Sequence, residues 1–180
     1  MRATSVMRFV ILGAVGFGIG GAIGAFLFPF GILLGGAVGG ASLGLALQDS
    51  RRVMILAGLG ALGLLVGVFA ALTLGAGFFN YAEVPITAIV GAVVGASLGA
   101  AFRDWRTILG LAVAGAVGFT VGYLAGEFLR FARPITGLVG QVGEVGSITV
   151  AGLVGGASLG MVLGYLESRK PAEERRARVR

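Results

Sequence analysis

The chain has 180 residues, of which 57% are hydrophobic, 12% are charged and a further 35 are glycine. A soluble domain is about half apolar and about a quarter charged, so a chain this apolar, with mean hydropathy +0.99, excludes a soluble globular enzyme. Glycine is too sparse for collagen and the hydropathy too high for disorder, which leaves an integral membrane protein.

The formal charge of +6 comes from 14 Lys+Arg against 8 Asp+Glu. In a soluble chain that balance points to nucleic acid. Here the cations sit in short connectors between apolar runs, so they act as topology signals and no nucleic-acid partner is expected. The chain has no cysteine and no histidine, which excludes disulfides, thiol catalysis and the usual zinc, copper and haem ligand sets. No metal, cofactor or catalytic site is expected. The apolar run that follows Arg8 is too long for a signal-peptide core and lacks an A-x-A cleavage site, so it reads as an uncleaved first span.

Taken in chain order, six apolar runs are long enough to be read as spanning helices: 9–28, 31–48, 53–75, 85–102, 107–126 and 147–166. None contains Asp, Glu, Lys or Arg. The connectors 48–52 and 103–106 are short and basic, whereas 29–30 and 76–84 carry no Lys or Arg. Segment 127–146 departs from this pattern. It holds Phe128, Arg130, Phe131 and Arg133, then Pro134, then Gly137, Gly140, Gly143 and Gly146 at period three. Its first half reads as an interfacial anchor, and its second as a re-entrant turn, a docking loop or a plain loop. The tail 167–180, rich in arginine, reads as a short cytoplasmic helix. Arg130, Arg133, Glu144, Arg175 and Arg176 are the candidate contacts with a partner or with lipid.

With both termini inside, the inner side holds Arg2, Arg8, Arg51, Arg52, Arg103, Arg106, Arg169, Lys170, Arg175, Arg176, Arg178 and Arg180, and the outer side only Arg130 and Arg133. The positive-inside rule therefore places both termini in the cytoplasm, which fits the inner membrane of a bacterium.

The even runs share one string: Gly36-Ala-Val-Gly-Gly-Ala-Ser-Leu-Gly44, Gly91-Ala-Val-Val-Gly-Ala-Ser-Leu-Gly99 and Gly152-Leu-Val-Gly-Gly-Ala-Ser-Leu-Gly160. The odd runs share a looser one: Gly13-Ala-Val-Gly-Phe, Gly60-Ala-Leu-Gly-Leu and Gly115-Ala-Val-Gly-Phe. The unit is a helical hairpin repeated in parallel orientation, at about 8–48, 53–102 and 107–166. The expected fold is all-α: a polytopic membrane bundle of six transmembrane helices, built as three tandem glycine-zipper hairpins around a pseudo-threefold axis. Residues 1–166 form a single membrane domain.

Lipid supplies no hydrophobic drive between helices, so close backbone packing has to attract them. The stripes Gly36, Gly40, Gly44, then Gly91, Gly95, Gly99, then Gly152, Gly156, Gly160 clear a flat face on each even helix. In the second run Gly35, Gly39, Ser42 and Ala46 make another small-residue face, while Leu34, Val38, Ala41 and Leu45 are left for lipid.

One polar group repeats once per hairpin: Ser42, Ser97 and Ser158. Under threefold symmetry these hydroxyls are candidate path-lining groups. The competing reading is local, with each hydroxyl bonded to the carbonyl four residues back (Val38, Val93, Val154). G-x-G strings such as 16–21 lack the strand–turn–helix setting of a nucleotide site. The packing style resembles rotor-ring subunits of rotary ATPases, although no mid-membrane carboxylate is present and the polar loop motif is missing. The signature of the six-span mitochondrial carriers is missing too. The composition favours a structural or accessory subunit of a membrane assembly, in contact with lipid and with a membrane protein or a second copy. The alternative is a small channel or facilitator.

Overall fold

The computed structural model describes residues 2–27, 30–75, 83–131 and 141–169. These residues form six helices: α1 (Arg2–Phe26), α2 (Gly31–Ala46), α3 (Ser50–Gly75), α4 (Glu83–Ala100), α5 (Trp105–Phe131) and α6 (Gln141–Arg169). No strand occurs among the described residues. The helices are apolar on all sides, the pattern of a segment surrounded by lipid and other helices. In that setting a helix pairs every backbone group within itself, which offsets the poor helix propensity of so much glycine.

Four segments are long and apolar enough to cross a membrane: Val6–Phe26, Ser50–Leu74, Trp105–Leu129 and Val145–Arg169. That is consistent with an integral membrane protein. The two remaining helices are shorter than the other four. Helix α2 has 16 residues and α4 has 18. At about 1.5 Å per residue they reach about 24 and 27 Å, short of a hydrocarbon core of about 30 Å. Left-handed residues end both helices early: Gln48 has φ 56° and Arg103 φ 54°.

After each left-handed residue an aspartate starts the next helix. The Asp49 carboxylate accepts the backbone N–H of Arg51 at 3.0 Å and of Arg52 at 3.4 Å. Asp104 accepts those of Arg106 at 3.2 Å and Thr107 at 3.3 Å. Each satisfies orphan donors of a first turn and places negative charge at the positive end of the helix. At the same end of the molecule Arg8 donates to the Leu45 carbonyl at 2.9 Å, capping the last turn of α2.

The third hairpin corrects the reading of 127–146. Helix α5 runs on to Phe131 and α6 starts at Gln141, so 127–131 and 141–146 are helical and only 132–140 lies outside the described residues. Ser147 donates to the Glu127 carboxylate at 2.9 Å across the two helices, and Ser147 is only 3% exposed. This bond holds the extended ends together.

Each helix packs against its neighbours in the chain, and α6 returns to pack against α1, which closes a ring of six. The chain folds back and forth, so the turns around Gln48 and Arg103 share one end with the start of α1 and the end of α6. That end carries Arg8, Arg51, Arg52, Arg103, Arg106 and Arg169 and is called the arginine end below.

Candidate functional site

Glycine sets the distances between the helices. A Cβ on Gly36 would overlap the carbonyl oxygen of Gly60, and one on Gly40 that of Leu56; Gly44 lies against Val53. The stripe of α2 therefore meets α3 backbone to backbone. Helix α4 repeats the arrangement on α5, with Gly91 against Gly115, Gly95 against Leu111 and Gly99 against Ile108. The other small face of α2 meets α1, with Gly35 against Gly20 and Gly39 under the ring of Phe17. Leu34 and Leu45, on the side left over, are exposed.

Helix α6 meets α1 in a different register. Gly156, rather than Gly152, faces Gly13; Gly152 lies against the Phe17 carbonyl and Gly160 against that of Phe9. Relative to the other two contacts the strip is displaced by four residues, about 6 Å along the helix. A further glycine, Gly164, extends the strip and packs against Val6 and Phe9. Gln48 and Arg103, the left-handed residues, occupy the equivalent place in the other hairpins. Where they end a helix, Gly164 lets α6 continue.

The three serines point into the hairpins. Each hydroxyl occupies the space beside a glycine of the preceding helix: Ser42 beside Gly16, Ser97 beside Gly63 and Ser158 beside Gly118. Their hydrogen bonds go to the carbonyl three residues back, a correction to the expected four. Ser42 donates to Gly39 at 2.7 Å, Ser97 to Val94 at 2.9 Å and Ser158 to Gly155 at 2.8 Å. Ser158 also lies 2.9 Å from the Ala114 carbonyl on α5. With its hydroxyl held between two helices, none of the three lines the interior cavity.

The interior divides into a packed half and an open half. Near the arginine end every helix contributes to a single apolar cluster, with Phe9, Leu43, Leu56, Leu98, Leu111 and Leu159 among its members, none of these more than 5% exposed. Leu43, Leu98 and Leu159 each directly follow a repeat serine, so the motif that turns the serine into the hairpin turns the leucine inward. Toward the other end, Phe17 and Phe119 meet edge to face with centroids 5.8 Å apart. The Phe17 ring rests on Gly39 and the Phe119 ring on Gly155. Beyond them lies a cavity of about 590 Å³ to which all six helices contribute. Its wall includes Ile32, Leu64, Val90 and Ile148, and its hydroxyl-bearing residues are Thr87 and Tyr123. Sequence reasoning missed this cavity. The available signal was the aromatic that closes the first and third odd strings, Phe17 and Phe119.

Arg52 pairs with Asp49 at 3.2 Å and lies over the Phe102 ring at 5.4 Å. The bond from Thr107 Oγ1 at 2.9 Å, aided by the Arg106 N–H, holds the Asp104 carboxyl below the usual carboxylate range. Arg169 stacks on Tyr165 at 4.5 Å. Of the candidate contact residues, Arg133, Arg175 and Arg176 lie outside the described residues, as does the tail from 170. Arg130 and Glu144 fall within α5 and α6, but their side chains lie outside what is described. Compared with protein-family models, with curated proteins and with solved structures, the chain matches none.

Proposed function

We propose that the protein is a non-catalytic structural or accessory subunit of a larger membrane assembly. In this reading three glycine-zipper hairpins surround a pseudo-threefold axis, in a bacterial cytoplasmic membrane with both termini in the cytoplasm. The observation that carries it is the interior near the arginine end, filled by buried apolar side chains from all six helices. No ionisable group stands within that layer, whereas pumps and transporters keep such groups in the membrane as a rule. The matched contacts of α2 on α3 and α4 on α5 support the threefold arrangement, with the displaced α6–α1 contact as its seam. Large apolar side chains such as Ile19, Leu62, Val66, Val113 and Val117 face outward, toward lipid or a membrane-protein partner, which includes a second copy. Arg130, Arg133, Glu144, Arg175 and Arg176 remain the proposed contacts at the two surfaces.

A facilitator is supported less well. A solute passing along the axis would have to part the leucines, and the serines are engaged between helices. Extraction from the native membrane in mild detergent, followed by mass measurement of the intact complex, tests the proposal. A second polypeptide in fixed ratio is expected; a protein that runs alone, as monomer or homo-oligomer, refutes the accessory role.

A further inference from the structure

The cavity beyond Phe17 and Phe119 has those rings at its floor, a mostly apolar wall, and Ala25, Phe26 and Val145 at the end opposite the arginines. We infer that it is a binding site for one hydrocarbon chain, an acyl chain of a membrane phospholipid that enters at this end, its mouth, and leaves its headgroup there. This goes beyond the accessory role and does not depend on it.

Size and depth fit a chain. A volume of about 590 Å³ falls within the range of about 300–1,000 Å³ typical of ligand sites. From Phe17 at the floor to Phe26 at the mouth, α1 advances nine residues, about 14 Å. Phe26 ends the Val6–Phe26 span, which is where headgroups begin.

The lining selects an apolar occupant. Water in such a space needs two to four polar partners per molecule, and large apolar cavities stay dry and take up apolar molecules instead. Leu64, Val68, Val90 and Ile148 offer none. The Thr87 hydroxyl donates to the Val84 carbonyl of its own helix at 2.9 Å. The wall is also held open. Gly20 and Gly35 already bring α1 and α2 to backbone contact, and Gly152 does the same for α6 against Phe17, so neither pair can move closer to fill the space.

Photo-crosslinking of the full chain in phosphatidylcholine vesicles tests this, using a phosphatidylcholine that carries a diazirine on one acyl chain and, in a separate arm, the corresponding free fatty acid. Adducts from the phospholipid are expected on Val68 and Val90, besides those on the outward-facing Leu62. Val68→Trp fills the cavity and Ala25→Phe narrows its mouth. Each should reduce the interior adducts at least tenfold and leave the Leu62 adduct unchanged. The milder Ala25→Phe keeps the test valid if the tryptophan variant does not fold. Adducts confined to outward-facing residues, interior adducts equal in the variants, or interior adducts from the free fatty acid alone would each overturn the inference.

Discussion

Phe17 and Gly39 show how closely residues on adjacent helices are matched. The ring of Phe17 occupies the place where a Gly39 side chain would be, and Phe119 does the same over Gly155. In the middle hairpin the equivalent positions hold Leu64 and Val94: the smaller odd residue is matched by the larger even one, and Val94 is fully buried. Bulk therefore moves from the odd helix toward the even one in the middle hairpin. Gly39→Val should destabilise the protein by about 1–3 kcal/mol through overpacking. Adding Phe17→Leu should restore at least about 0.5 kcal/mol relative to the sum of the single changes. Thermal unfolding of the four proteins in one detergent measures this coupling, and strict additivity would show that the pair is not matched. The matching was present in the repeated strings, but a pattern read for glycine alone passes over the aromatic that needs the gap. Gly58 makes the converse point. It has nothing within reach of an added Cβ, whereas Gly40 faces the Leu56 carbonyl, and composition counts the two alike.

The turns at the arginine end decide where the helices stop. Hydropathy carries the second run on to Gln48 and the fourth to Phe102, but the left-handed Gln48 and Arg103 end them earlier. The signal was weak, because neither position holds the glycine that usually marks such an ending. The aspartate that follows stands as a charge beside arginines, and Asp49 pairs with Arg52. Its second role, capping the next helix, follows from its position immediately before the first helical residue. The Asp104 carboxyl sits below the usual range, so the folded state binds its proton less readily than the unfolded chain does. It therefore contributes stability above the ordinary carboxylate range, and this is lost as pH falls through its lowered value. Asp104→Asn keeps an oxygen to accept the N–H groups but removes the titration. The acid-side decline in melting temperature should be shallower in the variant than in the parent, and parallel curves would remove Asp104 from the acid response.

At the scale of the whole molecule the ring must close, and its closure is uneven. Two of the three contacts between successive hairpins share a register and the third, α6 on α1, is displaced by one turn. Gly164 supplies the extra close approach that the displaced helix requires. The proposed sidedness of the ring rests on the distribution of arginine. The chain contains no cysteine, so single cysteines can report it. With both termini cytoplasmic, Phe30→Cys should react with a membrane-impermeant maleimide added to intact cells and Ser50→Cys only after permeabilisation; the reverse pattern refutes the orientation.

By itself the sequence determined the all-helical class, the hairpin unit, the small-residue faces and the segregation of charge. Each of these follows from local composition or from the fixed angular spacing of a helix. Only the tertiary structure decided which neighbour each stripe meets, that the serines face into the hairpins while the leucines beside them seal the interior, and that a cavity opens beyond Phe17 and Phe119. Two stripes on one helix look alike in sequence, because helical periodicity states which residues share a face and not what that face touches. The partner and the register are set jointly by six helices that must close on one another, and closure is a condition no single segment contains.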